Sequence, residues 1–168
     1  MPVTTEIRAI FSANQTVTLD LGGPASAPIL LDKTYPFSSG TGANQADLVW
    51  QDTRTLAASA TEDLDLAGVL ADAFGATITA AELVAIMVTA DAANTNDVVL
   101  GAATQPIPLF GGTLGTFAVK PGGMFLSVAP GGAGQLTVGA GATDDLKVAN
   151  SSSGTAVTYS IIVLARTA

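Results

Sequence analysis

The short segment from residue 91 to residue 97 carries the side chains best suited to hold a metal ion. Its oxygen-bearing residues are Asp91, Asn94, Asn96 and Asp97. Carboxylate and amide oxygens are the ligands that Ca²⁺ prefers. Their order departs from the helix–loop–helix calcium site, which places ligands at alternate positions and needs a distal Glu. Calcium is therefore a weak candidate here, and the pattern favours a hairpin turn built by bonds from side chains to the backbone.

Paired carboxylates form a second group with possible chemistry. Asp63 and Asp65 alternate in the sequence, so a strand places both on one face, and a carboxylate pair can serve glycoside hydrolysis. A solvated outer face explains the same pattern and is the favoured interpretation. Asp144 and Asp145 lie between glycine-rich stretches and indicate a turn.

Residue types that are absent narrow the chemistry further. The chain contains no His and no Cys, which excludes Ser-His triads, thiol nucleophiles, disulfides and the usual zinc and copper sites. Gly131–Gly134 and Gly139–Gly141 are not followed by the Lys-Ser/Thr of a phosphate-binding loop, so they predict turns. We expect a protein that is not an enzyme and uses no cofactor.

The composition limits the possible partners. The formal charge is −8 and the six basic residues are scattered, which argues against nucleic acid and anionic membranes. The apolar run Leu83–Val88 is far short of the ~20 residues that cross a bilayer. No signal peptide is visible at the N-terminus. Only 12% of the residues are charged, against roughly 25% in typical domains. Either uncharged polar residues cover the surface, or other subunits bury much of it; both explanations stay open.

The elements that would position these groups are strands. Between Ala46 and Leu66, the large side chains Leu48, Trp50 and Leu56 share one parity, and Leu64 repeats the pattern. Because successive side chains of a strand point to opposite faces, this parity predicts two strands with one apolar face each. Small residues between them predict a short connection.

The rest of the chain predicts an all-β fold with one short helix. Short strands alternate with Gly and Pro after residue 100, and apolar alternation predicts a long buried strand at Val157–Ala165. Leu83–Thr89 is apolar on both parities, as in a buried central strand. Leu66–Phe74 has helical spacing, with Gly75 as its stop. These signals indicate an antiparallel, jelly-roll-like β-sandwich over residues 46–168.

Residues 1–45 predict an extended N-terminal arm that includes the first strands. Glu6–Phe11 and Thr16–Leu21 read as two strands around a turn at Ser12–Gln15. Ile29–Tyr35 reads as a third strand, ended by Pro36, and a flexible loop follows.

Several stretches of residues 45–165 resemble small structural proteins of tailed bacteriophages. The stretches that carry the resemblance are Val49–Leu56, Asp63–Gly68, Asp72–Gly75, Pro121–Leu126, Leu146–Gly154 and Val157–Leu164. They are signatures of a fold type and not catalytic motifs. Members of this group are generally small virion proteins of β-sandwich type, so the resemblance implies a particle component.

Composition and resemblance together lead to one expected function. We expect a virion protein, first a trimeric decoration or cement protein that contacts the major capsid protein, assembled in the host cytoplasm. A tail, neck or head-fibre component is the alternative, and a carbohydrate-binding module is a more remote one. A charge-poor, apolar chain suits contacts repeated by symmetry, so we expect a homo-oligomer.

Overall fold

The computed structural model describes residues 2–167, and its regular secondary structure consists almost entirely of twelve strands. Their bounds are β1 Thr5–Leu19, β2 Gly23–Ser39, β3 Gln45–Ala46, β4 Leu48–Leu56, β5 Thr61–Asp65, β6 Glu82–Ala90, β7 Val98–Gly101, β8 Thr116–Val119, β9 Met124–Val128, β10 Leu136–Thr137, β11 Asp145–Asn150 and β12 Val157–Arg166. Within the described residues the one helical segment is a 3₁₀ turn at Pro108–Phe110.

Two antiparallel sheets make the sandwich. The first has the order β10–β6–β12–β4, and β9 also pairs with β6; the second has the order β5–β11–β7–β8. The chain passes repeatedly from one sheet to the other, as in jelly rolls. The predicted all-β sandwich is therefore confirmed.

The core lies between the two sheets and follows the alternation of the strands. Along β12, Val157, Tyr159, Ile161, Val163 and Ala165 are all buried, as predicted for the last strand. Leu48, Trp50 and Leu56 of β4 face the same core, and Leu64 of β5 meets them from the opposite sheet. The predicted parity of these two strands is confirmed, and the short connection between them carries the chain across the sandwich.

Strand β6 is buried on both of its faces, as its apolar run predicts. Leu83, Ile86 and Val88 point into the core between the sheets. Val84 and Ala85 belong to a second cluster on the outer side, where Phe37 of β2 covers them. The N-terminal strands therefore supply a partial third layer.

The predicted helix at Leu66–Phe74 is wrong. The segment forms turns, and Val69 and Phe74 are 73% and 79% exposed, so its apolar residues do not share a buried face. The Asp72 carboxylate accepts hydrogen bonds from the backbone N–H groups of Phe74 and Ala76. Such local bonds compete with the helix, and a segment this short has little helical stability of its own.

The predicted strand boundaries in the N-terminal arm are also wrong. Strand β1 runs unbroken through Ser12–Gln15, and the chain reverses instead just before Gly23, whose φ is +72°. Strand β2 continues past Pro36 to Ser39. Pro24, Pro28 and Pro36 share one parity in β2. The strand tolerates them because the backbone N–H groups that they lack would point to its outer edge, where no neighbouring strand needs a donor.

Two buried polar side chains tie the loops to the sandwich. Arg166 is fully buried; its Nε donates to the Gln45 carbonyl at 2.9 Å, and its Nη1 lies 2.9 Å from the Glu82 carboxylate. The Asn150 amide donates to the carbonyls of Ala57 and Thr155 at 3.0 and 2.8 Å. Among residues 2–167, no fully buried side-chain N or O atom lacks a partner.

The inward direction of β5 leads to a stability prediction. Leu64 is fully buried, whereas Leu114 is 89% exposed in a loop. Leu64→Ala should lower the free energy of unfolding by about 2–5 kcal/mol because it leaves a cavity between the sheets. Leu114→Ala, the matched control, should change it by less than about 0.5 kcal/mol. Urea unfolding followed by Trp50 fluorescence measures both; equal losses in the two variants would contradict this placement of β5.

Candidate functional site

The loop from residue 91 to residue 97 connects β6 to β7, which lie in different sheets. It is therefore a crossover between sheets and not the hairpin turn that the sequence favoured. The Asp91 carboxylate accepts the N–H of Ala93 at 2.8 Å. The Asn94 side chain both accepts from the N–H and donates to the carbonyl of Thr158, each at 2.8 Å. These bonds fasten the loop to β12.

The remaining two candidate ligands of this loop also have protein partners. The Asn96 amide donates to Asn150 Oδ1 at 2.9 Å and to the Ser152 carbonyl at 3.1 Å. The Asp97 carboxylate forms an ion pair with Lys120 Nζ at 2.6 Å. Across residues 2–167, no three His, Cys, Asp or Glu side chains form a group that could hold a metal ion. Calcium binding at Asp91, Asn94, Asn96 and Asp97 stays a hypothesis from the sequence.

The carboxylates of β5 and β11 lie together on the outer face of their sheet. Asp63 is opposite Lys147 in the register and Asp65 is opposite Asp145. Partial burial, followed by the charges of Asp144, Asp63 and Asp65, raises the pKa of Asp145 above its ordinary value. Asp65 accepts the N–H of Ala67 at 2.7 Å and so shapes the turn after β5. The carboxylates therefore lie on a partly solvated outer face, and Asp65 also has a structural role in the turn after β5.

A polar network that sequence reasoning missed lies at one end of the core. Arg54 Nε is 2.9 Å from the Asp52 carboxylate, and Arg54 Nη1 is 2.5 Å from the Glu62 carboxylate. The Tyr159 hydroxyl donates to Glu62 Oε1 at 2.6 Å. The guanidinium carbon of Arg54 lies 5.7 Å from the centre of the Trp50 ring. Arg54 thus bridges the two sheets, because Asp52 is on β4 and Glu62 is on β5.

Burial shifts the titration of this network. Desolvation, then the hydrogen bond to Glu62, raises the pKa of the Tyr159 phenol far above its ordinary value. Desolvation alone would lower the pKa of Arg54, but the Glu62 and Asp52 carboxylates outweigh it and leave the pKa raised. Both carboxylates are bonded to the same cation, so the network has the character of a structural clamp. The sequence contains one signal of this network, which is that Asp52 and Arg54 share the inward parity of Trp50. It could not show the hydrogen bond between Glu62 and Tyr159, because these residues are 97 positions apart.

Strands β1 and β2 form a long antiparallel ribbon whose two faces differ in chemistry. Residues directly opposite each other in the register share a face. One face is mostly polar and carries Glu6, Arg8, Ser12, Thr16 and Thr34 together with the exposed Ile10 and Leu30, and an Arg8–Asp32 ion pair crosses it. The other face is largely apolar along its outer half, which we call the distal apolar face: Phe11, Ala13, Val17, Leu19, Ala25, Ala27, Ile29 and Leu31, with Gln15 as a polar side chain among them.

The distal apolar face is open to solvent in the isolated chain. Phe11 is 62% exposed, Val17 and Leu31 are each 56% exposed, and Ile29 is 53% exposed. Large apolar side chains exposed singly are ordinary, but a contiguous apolar surface marks an interaction site. A two-stranded ribbon alone is also marginally stable in water. This surface is therefore the strongest candidate for function in the described residues.

The root of the ribbon shows what its apolar side packs against. Ile7, Tyr35 and Phe37 lie on the outer face of the first sheet, against Ala85 and Leu164. Beside this contact a groove of about 530 Å³ runs between β1 and the same sheet. Its floor is an apolar patch, which we call the shelf: Val49, Met87, Met124, Leu126 and Ile162.

Three comparisons with known proteins identified no match for the chain. No family model matches the chain, and neither a curated protein nor a solved structure matches it. In the described part of the chain, no helix has the length and apolarity to span a membrane. The ribbon, the shelf and the chemistry of their side chains are therefore the features of the chain that bear on its function.

The raised pKa of Tyr159 leads to a prediction for alkaline stability. A Tyr in the unfolded chain loses its proton near pH 10, while the folded protein keeps the Tyr159 proton to higher pH. Because the folded state then binds more protons, stability should fall as pH rises above about 10, by up to about 1.4 kcal/mol per pH unit. In Tyr159→Phe this contribution should be absent. Urea midpoints measured from pH 9 to 11 would compare the two proteins.

The matched control for this experiment is Tyr35→Phe, which leaves the Glu62 hydrogen bond in place. It should keep the loss of stability above pH 10 that the unchanged protein shows. An equally steep loss in Tyr159→Phe would mean that another group dominates the alkaline titration.

Proposed function

We propose that this chain is a non-enzymatic structural protein of a tailed-bacteriophage virion, and specifically a head decoration or cement protein that stabilises the capsid. The single observation that carries the proposal is the exposed distal apolar face of the ribbon. A face of this kind serves to hold proteins together, because its burial is favourable by about 25 cal/mol per Å² of apolar surface. The resemblance of residues 45–165 to phage structural proteins points to the virion as the assembly.

The polar groups of the chain support a structural role in preference to catalysis. Glu62 and Asp52 are bonded to Arg54, and the oxygen-rich loop after β6 is fastened to β12. A general base or nucleophile needs a reacting group within hydrogen-bond reach and a pKa suited to the task. The hydroxyl of Tyr159, whose pKa is the most strongly raised, donates to Glu62 inside the core. Its position suits cohesion of the two sheets.

A tail, neck or head-fibre component is the second structural candidate, since an apolar ribbon could serve in any of these assemblies. Copy number separates the candidates because decoration follows the symmetry of the capsid lattice and a neck or tail tip does not. A carbohydrate-binding module is the remote alternative. The ribbon argues against it, because sugar recognition needs aromatic side chains together with convergent polar groups, and the distal apolar face has Phe11 alone among aliphatic residues.

The proposed role predicts the abundance of the chain in virions. Purified particles of the phage that carries the gene should contain the protein in hundreds of copies, as a repeated shell component requires. Quantitative mass spectrometry against isotope-labelled standard peptides gives the copy number relative to the major capsid protein. About a dozen copies or fewer would instead support the tail, neck or fibre assignment, and absence from washed particles would overturn the virion role.

A further inference from the structure

The outer face of the first sheet changes from apolar to polar in successive rows of side chains. The strand registers align Val128, Ala85, Leu164 and Val49 in one row across β9, β6, β12 and β4. The next row is Leu126, Met87, Ile162 and Gln51, and the third is Met124, Thr89, Ser160 and Thr53. The root of the ribbon covers much of the first row. The shelf is formed chiefly by the second row, where Ile162 is 38% exposed and Met87 and Leu126 are partly buried in the groove beside β1.

The ribbon and the shelf are suited to each other because the molecule already contains one example of their contact. At the root, the apolar side of the ribbon packs on the first row of this sheet through Ile7 and Tyr35. Farther out, the same side of the ribbon is exposed, with Phe11 and Leu31 more than half accessible. Farther along the sheet, Ile162 and Val49 are each 38% exposed. Each chain thus contacts its own sheet with the root of its ribbon. It also exposes a second apolar ribbon surface, the distal apolar face, and a second apolar sheet surface, the shelf.

The area available decides between two ways of pairing identical chains. Nine residues at about 3.3 Å each and two strands about 4.8 Å apart give the distal apolar face about 300 Å². Packing ribbon on ribbon would bury only that area on each subunit. Packing each ribbon on a shelf would bury both the distal apolar face and a shelf on every subunit, and so a larger area per subunit than ribbon-on-ribbon packing.

Charge favours a second copy as the occupant of the shelf. Residues 5–39 contain three acidic and two basic side chains, a net charge of −1, so the remainder of the chain holds −7 of the total −8. Two sandwich domains therefore repel each other, while a nearly neutral ribbon can approach a neighbouring domain. The named residues of the distal apolar face and of the shelf are uncharged; Glu6 and Arg8 line the same groove, and Arg8 is already paired with Asp32.

We propose that the distal apolar face of one copy packs on the shelf of another copy, and that each chain gives one ribbon and receives one, which closes an assembly of two or three subunits. This inference rests on the proposed function in taking the ribbon as a contact surface. It adds the identity of the partner and the surface that the ribbon occupies. The arrangement gives the two-stranded ribbon a second layer and so stabilises it.

The first test compares two adjacent leucines that face opposite ways. Leu31 lies on the distal apolar face, and Leu30, which is 70% exposed, lies on the opposite face. Light scattering of the purified full-length chain should give two or three times the monomer mass of 16.7 kDa. Leu31→Asn should shift the mass to that of the monomer, and Leu30→Asn should leave it unchanged. Both sites are exposed, so circular dichroism should give the same folded spectrum for both variants.

A monomeric unchanged protein, or an equal effect of both substitutions, would overturn the inference. Such a result leaves the virion role intact if the chain is abundant in particles, because that measurement does not depend on self-association. If the chain forms a ribbon-dependent oligomer but is absent from particles, the proposed contact between copies stands and the proposed virion role is wrong.

The second test identifies the surface that receives the ribbon. Because the chain has no Cys, Leu31→Cys and Ile162→Cys each introduce a single thiol. The two variants are mixed, partly unfolded and refolded together so that subunits exchange, and treated with a short bis-maleimide reagent. Mass spectrometry should find residue 31 of one chain joined to residue 162 of another. Cross-links between two copies of residue 31 alone, or a yield no higher than that of a Leu30→Cys and Ile162→Cys mixture, would overturn the proposal.

Discussion

The sandwich depends on strand β12, in which buried and outward-facing side chains alternate. The strands on both sides of it must pair in a register that places their own apolar side chains on the same inner face. Strand β12 pairs with β4 along one edge and β6 along the other, so a change in its register would move every large side chain to the wrong face. Its inner row includes Tyr159, whose hydroxyl needs a partner once it is buried. Glu62 provides that partner from the opposite sheet. The same strand ends at Arg166, whose buried guanidinium holds the carbonyl of Gln45. One strand therefore links the core, the polar clamp and the beginning of the N-terminal segment.

The outer face of β12 and its neighbours explains why the ribbon lies where it does. Leu164 is nearly fully buried under the ribbon root, and Ile162 two residues earlier is partly exposed. Ser160 and Thr158 continue the face with hydroxyls that contact Thr53 and Thr55 at 2.9 and 3.0 Å. An apolar ribbon can cover only the apolar end of such a face without burying unpaired hydroxyls. The gradient along one strand thus determines both the attachment of the ribbon and the extent of the shelf.

The sequence was sufficient to predict the elements whose signals are local and strongly periodic. The alternation of β12, the apolar run of β6 and the inward parity of Trp50 each depend on a few consecutive residues. The helix predicted at Leu66–Phe74 failed because helical spacing over nine residues does not outweigh the Asp72 side chain, which bonds its own backbone. The turn predicted at Ser12–Gln15 failed because polar residues also occupy the polar face of a long strand.

The candidate site depended on pairings that no local pattern contains. The alternation of β1 was visible in the sequence, since most odd positions from Ile7 to Leu19 are apolar and most even ones are polar, but only the register shows that Phe11 lies opposite Leu31. The shelf likewise needs the alignment of Met87 and Ile162, which are 75 positions apart in the sequence. The Arg54 clamp is of the same kind. Register, and not composition, is therefore the information that sequence reasoning lacked.

The low content of charged residues has two physical sources in different parts of the chain. On the far end of the first sheet, hydroxyl pairs such as Thr53 and Ser160 solvate the surface without charge, which is the first explanation that the composition allowed. The ribbon is different, because its neutral side chains include exposed Phe11 and Ile29, which water solvates poorly. The second explanation, burial by other subunits, is the one that we propose for them. A protein that needed solubility alone would place charges on that face, and the proposed contact between copies gives its apolar character a physical reason.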